Sequence, residues 1–273
     1  MPGRVDLYNN AYAKLEHDLY RLIRTDTYGQ DLGQTSWVST DESNRIPELL
    51  NLNRESLVLD IGCGSGAYAI YVAHRVGCRV IGLDVNPHAI ASATQLAAGS
   101  ALNGLARFEQ CDASQSLPFT DGAVDAAFAN DSLCHIPERA GLLRELFRVL
   151  RPGGRLLFSD ALVIGGVISQ AELATRSSIG PYFFSPPGEN ERLLAAARFA
   201  VLSVIDTSEQ AAGISGRWCA ARERRREQLI ALEGVDGYDG VQRFLACVRL
   251  LTSERRLLRY LYLAERPGSD SAV

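Results

Sequence analysis

The chain has 273 residues, 47% hydrophobic and 22% charged, with a formal net charge of −4 and an isoelectric point near 5.7. That composition supports a sizeable core, in one large domain or a domain with an added lid. It also excludes a global basic field of the kind that recruits nucleic acid.

The opening MPGRVDLYNN lacks a basic region followed by an apolar one, and no apolar run approaches membrane-spanning length. A cytoplasmic protein with no membrane contact is expected. AYAKLEHDLYRLI places Ala11, Leu15, Leu19 and Leu22 on one helical stripe, with Tyr8, Tyr12 and Tyr20 nearby. YGQDLGQTSW reads as a loop, and Thr40 or Asp41 is expected to cap a helix through Leu50. From Leu57 short buried strands alternate with amphipathic helices. Strands are expected at Leu57–Ile61, Arg79–Asp84, Ala106–Cys111, Val124–Asn130 and Arg155–Ala161, and helices at Ala67–Val76, Pro87–Ala101 and Arg139–Leu150. Pro87 suits a first helical turn, and RPGG at Arg151–Gly154 ends the third helix. Such alternation predicts an α/β fold, a parallel sheet with helices on both faces. Beyond Ala161 come one possible helix among glycines and prolines, a strand at Ala200–Asp206, helical stretches near Ala211–Leu232 and Tyr238–Leu251, a final strand in RLLRYLYLAERP, and a frayed tail.

The six cysteines, Cys63, Cys78, Cys111, Cys134, Cys219 and Cys247, are scattered without metal-type spacing, so reduced core thiols and no metal are expected. The chemistry concentrates in VLDIGCGSG. A dinucleotide site wants G-x-G-x-x-G, with the pyrophosphate on a helix N-terminus. Here Gly62, Gly64 and Gly66 alternate, and Asp60 stands two residues before the first. A carboxylate there is awkward for a pyrophosphate but suits a ligand carrying positive charge. Asp84 ends the second strand, where it can accept from both ribose hydroxyls, and Asp112 ends the third, within reach of an adenine amino group. Three acids at consecutive strand ends describe a site for a cationic adenosine ligand.

VLDIGCGSG, IGLDVN, FEQCDASQSLPF, VDAAFANDSLCHI and LLRELFRVLRPGGRLLFSD, in that order, resemble the motifs of class I S-adenosylmethionine-dependent methyltransferases. The resemblance covers about residues 50 to 165. It implies a Rossmann-like, mostly parallel sheet with an antiparallel last strand. It further implies an N-terminal helical lid over residues 1–50, a donor-binding core over 51–165, a substrate cover with the final strands over 166–265, and a flexible tail over 266–273. S-adenosyl-L-methionine would be the cofactor and S-adenosyl-L-homocysteine its product. Gly62, Cys63 and Gly64 would line its methionine part, with Asp60 near the amino group. Asp84 and Val85 would meet the ribose and the base beside it, Asp112 and Ala113 the adenine, and Asn130 the sulfonium end. Trp37 packs on the cofactor or fills the lid.

Methyl transfer needs an aligned nucleophile and, for many acceptors, a base. His135, in NDSLCHIPER on the ligand side of the sheet, is the candidate base; it is otherwise a structural histidine under the cofactor. Asp131 would orient the substrate or a cationic amine, or cap the loop. The N-terminal segment with the ND(x)3H stretch is similar to the small-molecule branch that includes phosphoethanolamine and glycine/sarcosine N-methyltransferases. In that branch a lid tyrosine approaches the histidine, and by position Tyr12 matches best, with Tyr20 and Tyr28 behind it. GPYFFSPPGEN offers Tyr182, Phe183 and Phe184 as a pocket wall or an ammonium cage. Arg222, Arg224, Arg225 and Arg226 read as a solvated face. The expected activity is methylation of a small metabolite or natural product at nitrogen, oxygen or carbon, with no nucleic-acid partner and a homodimer possible through exchange of the N-terminal helix. Methylation of RNA or protein and a non-catalytic donor-binding subunit are the alternatives.

Overall fold

A computed structural model describes residues 7, 12, 14–100, 102 and 104–268. Tyr8, Ala11, Ala101 and residues 269–273, all named in the sequence-based expectations, lie outside the described residues. In chain order the elements begin with α1 (Asp18–Tyr28), α2 (Thr40–Leu49), β1 (Leu57–Ile61), α3 (Ala67–Val76), β2 (Arg79–Asp84) and α4 (Pro87–Ala98). Then come β3 (Ala106–Gln110), β4 (Val124–Ala129), a 3₁₀ turn (Leu133–His135), α5 (Arg139–Val149) and β5 (Leu150–Ile164). The last third holds α6 (Gln170–Arg176), α7 (Glu189–Ala196), β6 (Ala200–Asp206), α8 (Ser208–Glu223), α9 (Arg226–Glu233), α10 (Val235–Ser253) and β7 (Leu257–Glu265).

The seven strands form one sheet in the order β3-β2-β1-β4-β5-β7-β6. Neighbouring strands from β3 to β5 pair in parallel, and β7 runs antiparallel between β5 and β6, as expected. The order reverses between β1 and β4, so a crevice opens beyond their carboxyl ends, the place where open α/β sheets bind ligands. Small residues in β4, Ala126, Ala127 and Ala129, are buried and let helices close on both faces. One core, with Leu59, Phe158 and Leu146, lies on one face; another, with Val58, Val72 and Phe128, lies on the other. A third cluster joins the N-terminal segment to the last helices: Leu19, Ile23, Tyr28 and Trp37 pack with Ile214, Trp218, Ala221 and Phe244.

Several local expectations shift. Helix α1 starts at Asp18, capped by the His17 ring, and runs on to Tyr28, where Gly29 at φ 80° ends it; Lys14–Glu16 form a turn. Ser39, rather than Thr40 or Asp41, caps α2, its hydroxyl accepting from Glu42 N at 3.1 Å. Helix α5 ends at Val149, because Leu150 already pairs with Val124, and the RPGG stretch runs alongside Arg266 as the start of a 15-residue strand. The long cover helix breaks between Glu223 and Arg226 into α8 and α9. Arg222 is buried and paired with Glu233 at 2.7 Å, while Arg224 and Arg225 hold Asp26 of α1 at 2.8 and 2.7 Å. Arg224 and Arg226 are exposed, as expected of a solvated face, whereas Arg222 is buried and Arg225 half-buried, and the pairs with Asp26 tie this stretch to α1. No helix among the described residues is long and apolar enough to cross a membrane.

One buried network ties lid, sheet and crevice together. Arg259 of β7 is fully buried and donates two parallel hydrogen bonds to Glu42 of α2, at 2.8 and 2.9 Å. Its Nε donates to Asp131 Oδ1 at 2.9 Å, just beyond β4. Asp131 Oδ2 accepts from Trp37 N at 2.8 Å, and Ser159 Oγ donates to Oδ1 at 2.8 Å. Removing one partner of such a network leaves a desolvated charge, which costs about 3–5 kcal/mol. Glu42→Leu is therefore expected to lower unfolding stability by about that much in a urea titration. A loss below about 1 kcal/mol would show the pair to be dispensable.

Candidate active site

The crevice is a cavity of about 420 Å³, and each residue nominated above as catalytic or donor-binding lines it, from Tyr12 and Trp37 in the lid to His135 beyond β4. The glycine turn after β1 makes its floor. Gly62 and Gly64 sit at φ 72° and 53°, and a Cβ on Gly64 would lie 3.1 Å from the ring and hydroxyl of Tyr12. Bare backbone is thus needed both for the turn and for close approach. Asp84 braces the turn: its Oδ2 accepts from Gly64 N and its Oδ1 from Asn86 N, both at 2.9 Å.

The acids fall in a row at strand ends. Asp60 is 3% exposed; burial and then the Asp84 charge raise its pKa well above the ordinary carboxylate value. The Asp84 pKa is also raised by desolvation, against the pull of its backbone hydrogen bonds. Asp112 is exposed, and hydrogen bonds from the Ser114 side chain and then from Ser114 N, the latter at 2.9 Å, hold its carboxyl below the ordinary value. Val85 lines the cavity with 63% of its surface exposed, and Ala113, also in the lining, is buried. Asn130 Oδ1 is buried without a hydrogen-bond partner among the described residues. Two carboxyls disfavoured as anions, an orphaned amide oxygen and an open glycine turn fit a cationic adenosine ligand. Among the described residues no cluster of three or more His, Cys, Asp or Glu side chains fits a metal ion. Cys63 is buried, which raises its thiol pKa well above the ordinary value.

At the other end His135 closes the 3₁₀ turn. Its Nδ1 lies 3.0 Å from the Pro181 carbonyl oxygen, which can only accept, so in the neutral ring Nδ1 carries the proton and Nε2 the lone pair. Burial holds its pKa below the ordinary 6.5; the Pro181 bond opposes this and the Arg176 charge reinforces it. The ring beside His135 is Tyr182, at 4.4 Å between centroids. Tyr12 lies against Gly64 and near enough to Tyr182 to feel its charge; burial and then the Asp84 charge raise its pKa. Tyr20 donates to Glu233 at 2.5 Å and Tyr28 to the Ser36 carbonyl at 2.7 Å, outside the cavity lining. Asp131 engages Arg259, Ser159 and Trp37 N, as described above. Trp37 itself packs 6.0 Å from Trp218 and 6.1 Å from Phe244. Of the three aromatics in GPYFF, only Tyr182 lines the cavity.

The sequence reading missed Arg176, Trp218 and Phe244, brought to the cavity by α6, α8 and α10. Arg176 is 1% exposed, with its guanidinium carbon 4.5 Å from the Tyr182 ring centroid, 5.2 Å from Phe244 and 6.0 Å from Trp37. No local motif marks them, because they meet only through the folding of the cover.

An open α/β sheet with acids and a glycine turn at its switch point defines a Rossmann-like enzyme for a nucleoside-type cofactor. Residues 59–158 match the family described as the methyltransferase domain. The chain is 29% identical to the 27-O-demethylrifamycin SV methyltransferase of Amycolatopsis mediterranei over 97% of each chain. It is 32% identical to an O-methyltransferase of Aspergillus nomiae over 62% of this chain and 76% of that one. It spans less than half of other relatives: 44% of the methyltransferase GfsG of Streptomyces halstedii, at 35% identity over 45% of this chain. The phosphoethanolamine N-methyltransferase 2 of Haemonchus contortus, solved with phosphomonomethylethanolamine and S-adenosylhomocysteine, superposes with a TM-score of 0.80 at 19% identity, over 94% of this chain and 59% of that one. The chain belongs to the class I S-adenosylmethionine-dependent methyltransferases.

The raised Asp60 pKa has a sign that can be tested. A carboxyl whose folded pKa exceeds its unfolded value destabilises the fold increasingly as pH rises from the ordinary 3.8 toward the raised value. Asp60→Asn should therefore stabilise the ligand-free protein near neutral pH, by a margin that shrinks toward pH 4. It should also weaken S-adenosylhomocysteine binding in calorimetry by about 1.5–3 kcal/mol, the worth of a hydrogen bond to a charged group. Unchanged affinity would place the donor's ammonium elsewhere.

Proposed function

We propose that the protein transfers a methyl group from S-adenosylmethionine to the hydroxyl of a small, largely apolar metabolite, with His135 as general base. The observation that carries this reading is the neutral His135, its Nδ1 committed to Pro181 and its pKa held below 6.5, at the aromatic end of the cavity. When bound, S-adenosylmethionine supplies a methyl group on an activated sulfonium, so the chain has only to hold, orient and deprotonate the acceptor. In this reading residues 1–50 are the lid, 51–165 the donor-binding core and 166–265 the substrate cover.

Each residue has a task. Asp60 and Asn130 take the methionine end, Asp84 the ribose hydroxyls, and Val85, Asp112 and Ala113 the adenine. Gly62, Cys63 and Gly64 form the floor, and Tyr12 closes over it. Asp131 acts through others: it holds Trp37 and the turn that presents His135. Trp37, Tyr182, Trp218 and Phe244 exclude water from the acceptor end. Arg176 decides between nucleophiles. Its charge already faces the Tyr182, Phe244 and Trp37 rings, so a second cation there is repelled, and a neutral hydroxyl is preferred to an ammonium. The full-length likeness to a rifamycin O-methyltransferase supports the same choice.

The test is transfer of isotopic label from the donor methyl into separate pools of phenols and alcohols, amines and amino acids, total RNA, and protein. Label in a hydroxyl compound is the expected result. Label confined to RNA or protein overturns it, and tight donor binding without transfer indicates a non-catalytic subunit. With the acceptor in hand, His135→Gln should lower kcat by about 10²–10⁴ and leave S-adenosylhomocysteine affinity unchanged. In the wild type kcat should fall with acidity along a limb centred below 6.5, because protonated His135 cannot act as base. A parallel loss of turnover and donor affinity would make His135 structural.

A further inference from the structure

Arg139 stands four residues beyond His135, at the first position of α5, and is 6% exposed. A guanidinium in that setting needs acceptors, and the fold supplies them from three separate segments. Its Nη1 donates to Asp160 Oδ2, Ser185 Oγ and Asn190 Oδ1, each at 2.7 Å, and its Nη2 to the Phe183 carbonyl at 3.4 Å. Asp160 is fully buried on β5 and also accepts from Asn190 Nδ2 and Leu162 N, both at 2.9 Å. The backbone of residues 181–185 is fixed in addition by Phe183 N to the Cys134 carbonyl and Ser185 N to the Leu162 carbonyl, both at 2.9 Å. That short segment carries two groups that meet the imidazole among the described residues, the Pro181 carbonyl and the Tyr182 ring.

We infer that Arg139 is a positioning residue for His135: its ionic hydrogen bonds hold the 181–185 segment against the turn, and the Pro181 carbonyl then fixes the ring's orientation and tautomer. The inference rests on reading His135 as the base. A base must present an unprotonated Nε2, and a carbonyl acceptor at Nδ1 keeps the proton of the neutral ring on that nitrogen. Among the described residues the charged and titratable groups around the ring are Asp131 before the turn, Asp160 on β5, Arg176 on α6, and Tyr182 in the segment itself. The Nδ1 contact is with none of these but with a backbone oxygen.

The test uses the full chain labelled with ¹⁵N-histidine, whose four histidines are assigned by single substitutions. In the wild type near neutral pH, His135 should show one tautomer, protonated at Nδ1. In Arg139→Lys, which keeps the charge and loses the planar fork, that single tautomer should give way to a mixture. Turnover should fall about 10- to 100-fold, the scale of a small misplacement, with S-adenosylhomocysteine affinity unchanged. Added to His135→Gln, Arg139→Lys should cause no further loss, because it acts through the ring. If Arg139→Lys does not fold, Ser185→Ala leaves the Arg139–Asp160 pair intact and should produce the same tautomer change in smaller measure. A folded variant with the wild-type tautomer, or rate losses that multiply in the double variant, would overturn the inference. Full activity in His135→Gln would defeat the base reading alone, since the tautomer still reports whether Arg139 places the ring.

Discussion

The buried guanidinium of Arg259 is the constraint on which the rest of the site depends. A charge with no exposure to water is tolerable only when it is completely bonded, and the Arg259 side chain meets Glu42, Thr207 and Asp131. Those partners come from α2, the turn before α8, and the turn beyond β4. Asp131 sits at φ 53°, a left-handed conformation that costs a non-glycine residue about 1 kcal/mol or more. The network holds that strained turn in place, so the geometry of Asn130 and His135 on either side is fixed by contacts to the last strand of the chain. The same carboxylate anchors the lid through Trp37 N. The N-terminal segment, the turn that carries His135 and the final strand thus share one electrostatic node.

Electrostatics also divides the cavity. Acids at the ends of β1, β2 and β3 make one half favourable to a cation, while Arg176 among aromatic rings gives the other half the opposite preference. His135 lies on the Arg176 side, where burial keeps the imidazole neutral. In the proposed reaction a cationic donor and a neutral acceptor each take the half that suits it. The cover matters to both halves: α8 and α10 supply apolar walls, while Arg222, Arg224 and Arg225 tie the cover to Glu233 and to the lid.

The glycine and acid end of the cavity was legible in the sequence because its requirements are local. A glycine turn, a carboxylate two residues before it and acids closing the next strands are set by spacing along the chain, and the parallel strands place them in a row. The strand positions were legible for the same reason, since buried parallel strands are short apolar runs between helical patterns. The aromatic end was not. Arg176, Trp218 and Phe244 lie on three helices with no shared motif, and only tertiary packing assembles them. Tyr12 could be placed near the site by its position in the chain, but its seat on Gly64 depends on the path of the lid. The role of Asp131 was hidden for a similar reason: Glu42 and Arg259, its partners in the network, are separated by most of the sequence. Arg222 could not be told from its exposed neighbours Arg224 and Arg226, because helical periodicity does not reveal that Glu233 comes to meet it.

Hydrogen exchange in wild-type and Arg259→Met protein tests the central claim most directly. If the buried network holds the site together, residues 33–38 of the lid and 131–135 of the turn lose protection together in the variant, while β1 and β2 keep theirs. Loss of protection confined to β7 and β6, with the Trp37 amide still slow, would contradict it.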